Sequence, residues 1–211
     1  MNDDKYLKER VGVAARIGRS NLWDVVDHWP LYVGVRNLAR YLAIYEIIKE
    51  FAPIPGDIAE FASWRGSNLM FMTKLQTIMD PQSARRIHCF DSFQGLATFA
   101  KEDGKQSAGQ YRGSREELEA MIRLYELDGK VTINQGNIES TFPKFLVENP
   151  GLHFSLLYFD ADLYSPAVAA LKHGHDRLVK GGAFVFDEWN FLNFPGESTA
   201  VREFMSAHGD S

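Results

Sequence analysis

Two kinds of apolar pattern alternate along this chain. Short, nearly continuous apolar runs at Asp57–Phe61, Arg86–Phe90, Lys130–Gln135, Phe154–Phe159 and Ala183–Phe186 have the length and density of strands buried on both faces. Between them, apolar residues recur every three or four positions, as on one face of a helix. Leu38, Tyr41, Leu42, Tyr45 and Ile48 predict a core-facing helix over Val35–Phe51, stopped by the prolines of Ala52–Pro55. A second helix is expected over Ser67–Met79. Ser114 with Glu117 three residues on reads as a capping box before the face Leu118, Met121, Ile122 and Tyr125. A short helix is expected over Thr141–Asn149. Ser165–Pro166 reads as N-cap and first residue of a helix to Val179, and Gly181–Gly182 as the turn into the fifth strand. The last helix covers roughly Glu197–Ala207.

Strand and helix alternate throughout, which demands a parallel sheet with helices on both faces, joined by right-handed crossovers: a doubly wound, Rossmann-like α/β fold. Two stretches resist this reading. Residues 1–34 carry an amphipathic suggestion at Tyr6–Ile17 and aromatic punctuation at Trp23, Trp29 and Tyr32, with Pro30 expected to break any helix. Gln94–Gly113 is polar and glycine-bearing with no period, the mark of a lid, a binding loop or disorder.

Composition narrows the function classes. The chain has 211 residues, a net charge of −5 and no basic block, so nothing recommends a nucleic acid as partner. Its one cysteine, Cys89, lies in an apolar run, which excludes an intrachain disulfide framework and fits a reducing compartment. The start, MNDDKYLKER, has no hydrophobic leader, and no apolar run approaches the roughly 20 residues needed to span a bilayer. A cytoplasmic protein with no membrane association is expected.

The candidate chemistry sits where the strands end. Every predicted strand but the third runs into acid: Glu60, Asp91, Asp160 and the pair Asp187–Glu188. The third ends at Gly136–Asn137. Carboxylates gathered on one rim repel each other and call for something that pairs them. The first strand also empties through Ala62–Gly66 into a helix N-terminus, where free N–H groups and the positive dipole end meet. That turn is not G-x-G-x-x-G, so a pyrophosphate cradle is poorly supported. Asp91, after the second strand, is placed to accept two ribose hydroxyls, or else caps its own loop. Ribose without pyrophosphate, beside a carboxylate that could hold an ammonium or a sulfonium, points to S-adenosylmethionine. Asp160, Asp187 and Glu188 converge as oxygen ligands suited to Mg²⁺; otherwise Asp187 caps a loop and Glu188 is solvated. Asp162 reads as an outer charge of that cluster or a charge at the N-terminus of the helix that follows, with substrate contact open to it. His173 and His175, two apart on a helix, face different ways and are expected at the surface, while Trp189 and Phe191 serve either to stack on a substrate or to anchor their loop.

At these residues the chain resembles the class I S-adenosylmethionine-dependent methyltransferases, and more narrowly the macrocin O-methyltransferase (TylF/MycF) family, which methylates sugar hydroxyls on natural products or glycans. The segments that carry the resemblance are PGDIAEFASWRGSNL, FDSFQGL, QGNIEST, FDADLYSPAVAAL and GGAFVFDEWN. It implies an N-terminal extension over 1–34, a single donor-binding domain over 35–211 and a mostly parallel sheet in the order 3-2-1-4-5. It further implies that Glu60, Phe61, Ala62, Ser63, Gly66 and Ser67 surround the methionine part of the donor. Asp91, Ser92 and Phe93 would hold its ribose, and Asn137 and Ile138 would border adenine. Asp160, also at the donor, would bind Mg²⁺ with Asp187 and Glu188. The family pattern ends the fifth strand with two aspartates where this chain has Asp187–Glu188, and a glycine is often found where this turn reads Ala62-Ser63.

The expected reaction is in-line methyl transfer to a hydroxyl of a sugar or related small molecule, with alignment supplying most of the catalysis. Asp160 and Asp162 are the candidates for the base. The loop Gln94–Gly113 and the N-terminal segment would shape the acceptor pocket. Methyltransferases of this class close the sheet with an antiparallel pair of strands, and this chain stops at Ser211, where that pair would begin. The exposed edge this leaves on the fifth strand predicts a homo-oligomer, or a shortened form of a longer protein. Two other readings stay open: a nicotinamide-dependent oxidoreductase on the same sheet, and a catalytically silent relative that binds the nucleoside and assembles with partners.

Overall fold

The computed structural model of the protein describes residues 22–96, 99–106 and 108–209; the amphipathic pattern at Tyr6–Ile17 lies outside them. The chain divides into two units, Met1–Ile47 and Ile48–Ser211. Helices α1 (Leu22–Asp27) and α2 (Trp29–Tyr32) precede the longer α3 (Val35–Phe51), whose span is the expected one. Pro30 opens α2 rather than breaking a helix, because in the first turn a missing N–H leaves no bond unmade. Along α3, Leu38, Leu42 and Tyr45 are exposed, contrary to the predicted core face. The buried stripe is Ile44, Ile48 and Phe51, spaced i, i+4, i+7; of the predicted face Ile48 is buried and Tyr41 half-buried.

The second unit is built on five strands: β1 (Asp57–Phe61), β2 (Ile87–Asp91), β3 (Val131–Gln135), β4 (Phe154–Phe159) and β5 (Leu178–Phe186). Neighbours pair in parallel, in the order β3-β2-β1-β4-β5. The connecting helices are α4 (Ser67–Met79), α5 (Arg115–Leu124), α6 (Ile138–Glu148) and α7 (Tyr164–Gly174), and α8 (Pro195–His208) follows β5. β2 and β4 are buried at every position, as their continuous apolar runs require. The core against α6 is aromatic. Phe61 stacks on Phe90 at 5.4 Å and meets the edge of Phe142 at 4.8 Å, and all three are fully buried.

The structure moves some boundaries for physical reasons. α6 begins at Ile138, directly behind Asn137, rather than at Thr141. α7 begins at Tyr164, and its first N–H is taken by Asp103 Oδ1 at 2.8 Å, so a distant loop supplies the cap expected of Ser165. It ends at Gly174, not Val179, because helix and sheet meet there. A Cβ on Gly174 would lie 2.7 Å from Leu157 and 3.1 Å from the Phe184 ring. One 3₁₀ turn (His175–Arg177) then leads into β5 at Leu178. Gly181 and Gly182 therefore lie inside β5, not in a turn before it. They form a bulge against β4: Phe154 pairs with Leu178, but Leu156 pairs with Ala183. Gly181 takes φ +85°, a conformation that glycine adopts without strain.

The capping box is half made. Ser114 Oγ accepts the Glu117 N–H at 3.1 Å, while the Glu117 carboxylate turns to Arg65 at 2.6 Å instead of back to the cap. Among the described residues no helix is long and apolar enough to cross a membrane.

Candidate functional site

The chain runs outward from β1 to β3, then returns to β4 on β1's other side. The loops leaving β1 and β4 thus part in opposite directions and open a crevice at the carboxyl ends of the strands, where ligands of doubly wound sheets bind. The exits stay in step. The ladder continues past the strand ends through Ala62 N–H to Phe90 O (2.8 Å), Asp160 N–H to Phe61 O (3.1 Å) and Asp187 N–H to Phe159 O (3.0 Å). The chain then turns away sharply. Ala62, Phe93, Asp162 and Asn190 all have φ near +60°, which costs non-glycine residues free energy and tends to cluster at functional sites.

Glu60 is the last but one residue of β1 and is fully buried. Ser63 Oγ donates to its Oε2, while Oε1 has no partner. Burial, followed by the nearby charges of Asp91 and Asp187, pushes its carboxyl up to about 8. It therefore holds a proton near neutral pH, with one oxygen orphaned.

Asp91 is also buried, and both its oxygens are engaged: Oδ2 accepts the Trp64 N–H at 2.7 Å and Oδ1 the Phe93 N–H at 2.5 Å. Burial raises its pKa, against the pull of these two amides. Asp91 thus caps its own loop and ties it to the turn after β1. A carboxylate oxygen has two lone pairs, so each still has one acceptor position for a ligand hydroxyl. Ser92 Oγ accepts the Gln94 N–H at 3.1 Å, and Phe93 is buried. Gly66 occupies the N-cap of α4 in the left-handed conformation, so Ser67 is the first helical residue and not the cap. Asn137 takes the N-cap position of α6, and Ile138 is buried behind it.

The third group lies across the crevice. Asp160, Asp187 and Glu188 each offer one carboxylate oxygen, and these three atoms lie within 4.8 Å of one another. Three hard oxygen ligands at that separation fit Mg²⁺ better than a softer ion. Each member is held by a residue that the sequence did not single out. Asn68 Nδ2 donates to Asp160 Oδ2 at 3.1 Å. The buried Tyr158 hydroxyl donates to Asp187 Oδ1 at 2.7 Å, and burial together with these acids keeps its proton on. The Glu188 N–H donates to Glu197 Oε1 at 3.2 Å. Glu197 is fully buried and its Oε2 has no partner. Burial first, then Asp162 and Glu188, push it up to about 8. Asp162 itself is buried beside this cluster. The period marks Glu197 as a helix opener, and nothing in its spacing announces a buried acid.

The described residues of the loop between β2 and α5 are held by polar clamps. It folds back on itself through Leu96 N–H to Gln110 O (2.9 Å) and Gly109 N–H to Leu96 O (2.7 Å). Asp103 accepts the N–H of Ala100 and of Tyr164, each at 2.8 Å. Gln106 Nε2 donates to Asn193 O at 2.5 Å, and Trp64 Nε1 to Arg112 O at 3.2 Å. The loop thereby spans from the turn after β1 to the segment after β5. In that segment Phe191 stacks on Phe194 at 6.0 Å, which favours the loop-anchor role for Phe191, while Trp189 is half exposed under Arg202 at 5.1 Å. His173 and His175 are half-buried rather than on the open surface, and the His175 ring meets Phe204 at 5.3 Å.

Comparison with known proteins bears on the family and the fold. The mycinamicin III 3''-O-methyltransferase of Micromonospora griseorubida is 27% identical over 169 residues, covering 75% of this chain and 63% of the relative. A Streptomyces olivaceus protein, 8-demethyl-8-(2,3-dimethoxy-alpha-L-rhamnosyl)-tetracenomycin-C 4'-O-methyltransferase, is 27% identical over 176 residues, covering 79% of this chain and 64% of its own. The chain thus spans just under two thirds of the length of both relatives. The crystal structure of CalS11, a calicheamicin methyltransferase, superposes with a TM-score of 0.86 at 25% identity, over 96% of this chain and 85% of that one. The model of the macrocin-O-methyltransferase (TylF) family matches residues 22–210, nearly the whole chain, and this protein belongs to that family.

Proposed function

We propose that this protein is an S-adenosylmethionine-dependent O-methyltransferase acting on a sugar hydroxyl of a small-molecule natural product, with a divalent cation at Asp160, Asp187 and Glu188. The observation that carries the reading is the fully buried Glu60 carboxyl, whose Oε1 has no hydrogen-bond partner and which feels the charge of Asp187, together with the three converging carboxylates. An unpaired buried carboxyl oxygen suits an ammonium group, and three clustered oxygen ligands suit a hard cation; both residue sets fit the groups assigned to them. The relatives named for 3'' and 4' hydroxyl methylation supply the acceptor class.

In this reading Glu60, steadied by Ser63, binds the amino acid end of the donor, with Phe61, Ala62, Gly66 and Ser67 forming the surrounding turn. Asp91 accepts the ribose hydroxyls on the lone pairs that Trp64 and Phe93 leave open, flanked by Ser92, while Asn137 and Ile138 border the base. Asp160, Asp187 and Glu188 would hold Mg²⁺, which when bound lowers the pKa of a coordinated hydroxyl. Asp160 or Asp162 would take the acceptor's proton. The clamped loop of residues 94–113 limits water at the crevice.

The test is calorimetric titration with S-adenosylhomocysteine, wild type against Asp91→Ala, followed by turnover on a panel of glycosides with and without Mg²⁺. Micromolar binding weakened by at least about 30-fold in the variant is expected, since hydrogen bonds to a charged group contribute about 1.5–3 kcal/mol each. Equal affinity in the two proteins would remove the ribose role, and NADH binding in its place would remove the donor.

A further inference from the structure

The search for roles beyond the donor and cation ligands leads to two neutral side chains behind the acidic cluster. Tyr158 stands in β4 opposite Glu60 of β1 and Val185 of β5. It is among the largest fully buried side chains in the protein, yet it carries a hydroxyl into the core. A phenylalanine would fill that volume without a polar atom to satisfy. The hydroxyl's partner is Asp187 Oδ1 at 2.7 Å, one of the three clustered acids. Asn68, buried in the first turn of α4, likewise spends an amide N–H on Asp160 Oδ2 at 3.1 Å, across the crevice from its own strand. Both donors are uncharged. They fix the direction of a carboxylate without cancelling its charge, as a lysine or arginine in the same place would.

We propose that Tyr158 and Asn68 are positioning residues that hold Asp187 and Asp160 in the orientation needed to ligate the cation. The inference rests on the cation reading given above. Its mechanism is preorganisation: a carboxylate already held in one rotamer loses less freedom when the ion arrives. Tyr158 does this for Asp187 from β4, and Asn68 does it for Asp160 from the first turn of α4.

The experiment compares wild type, Tyr158→Phe and Asn68→Ala for Mn²⁺ affinity by electron paramagnetic resonance, with S-adenosylhomocysteine affinity and melting temperature measured alongside. Each variant is expected to weaken Mn²⁺ binding about 10-fold or more, the usual effect of removing an outer-shell partner. Donor-product affinity should stay within about twofold, and raised Mg²⁺ should restore turnover, moving the metal requirement rather than the limiting rate. A purely structural hydroxyl would lower the melting temperature and leave Mn²⁺ affinity unchanged. That result in both folded variants, with wild type binding Mn²⁺, overturns this inference alone. Failure of folded wild type to bind Mn²⁺ overturns the cation reading and this inference with it.

Discussion

Replacing Glu60 by glutamine tests the electrostatics of the crevice without changing its shape. In the folded protein burial holds this carboxyl at about 8, against an ordinary value of 4.5. The native state therefore keeps a proton that the unfolded chain releases between those two values. Stability contributed by that proton is complete below pH 4.5, falls as pH rises through the window and levels off above about 8. At about 1.36 kcal/mol per pH unit the full effect is bounded near 5 kcal/mol, and about 3 kcal/mol is a realistic expectation for a site that can relax. Glutamine cannot ionise, so Glu60→Gln should gain stability relative to wild type as pH rises. With a urea slope of about 2 kcal/mol/M, the two midpoints should separate by an extra 1–2 M or so between pH 5 and pH 9. Glu197 is raised in the same direction and tilts both proteins alike, so the difference between them reports Glu60. A difference that does not change with pH would show that Glu60 is ionised throughout, and the reasoning from its burial would be wrong.

Two further outcomes follow from the same site. If the donor's ammonium pairs with ionised Glu60, binding S-adenosylhomocysteine at pH 7 must expel most of one proton; calorimetry in buffers of differing ionisation enthalpy should read that release in wild type and lose it in Glu60→Gln. Gly113→Ala would drive a Cβ into the Trp64 carbonyl oxygen, on the backbone whose N–H holds Asp91, so a loss of about 1–3 kcal/mol and weaker donor-product binding are expected together. Unchanged affinity in a destabilised Gly113→Ala protein would separate the loop from the site.

What the sequence made legible was whatever depends on period and strand ends. The runs Asp57–Phe61 and Phe154–Phe159 are dense enough in apolar residues to mark their strands to the residue, and the acids at their ends, Glu60 within the first and Asp160 after the second, fall at the carboxyl rim. Local patterns failed where the deciding partner is remote. Ser165 looks like a cap, but Asp103 does that work from a loop 61 residues away. Val179 continues a helical pattern, but Gly174 meets the sheet first. Tyr158 and Glu197 read as core aromatic and helix opener, and only the packing of three strands and α8 reveals a hydroxyl and a carboxyl aimed at the acidic cluster. The left-handed turns at Ala62 and Phe93 leave no trace, since neither residue advertises a positive φ.

The glycine bulge in β5 has a consequence for the opposite end of that strand. Between the pairs Phe154–Leu178 and Leu156–Ala183, β4 advances two residues while β5 advances five. Two is even and five is odd, so the bulge reverses the phase of β5's alternation before the strand reaches the rim. That reversal puts Asp187 on the same side as Tyr158. Straightening the bulge with no residue lost would remove the reversal and turn Asp187 to the other side. The side on which Asp187 leaves the strand is thus set by two glycines at the strand's far end.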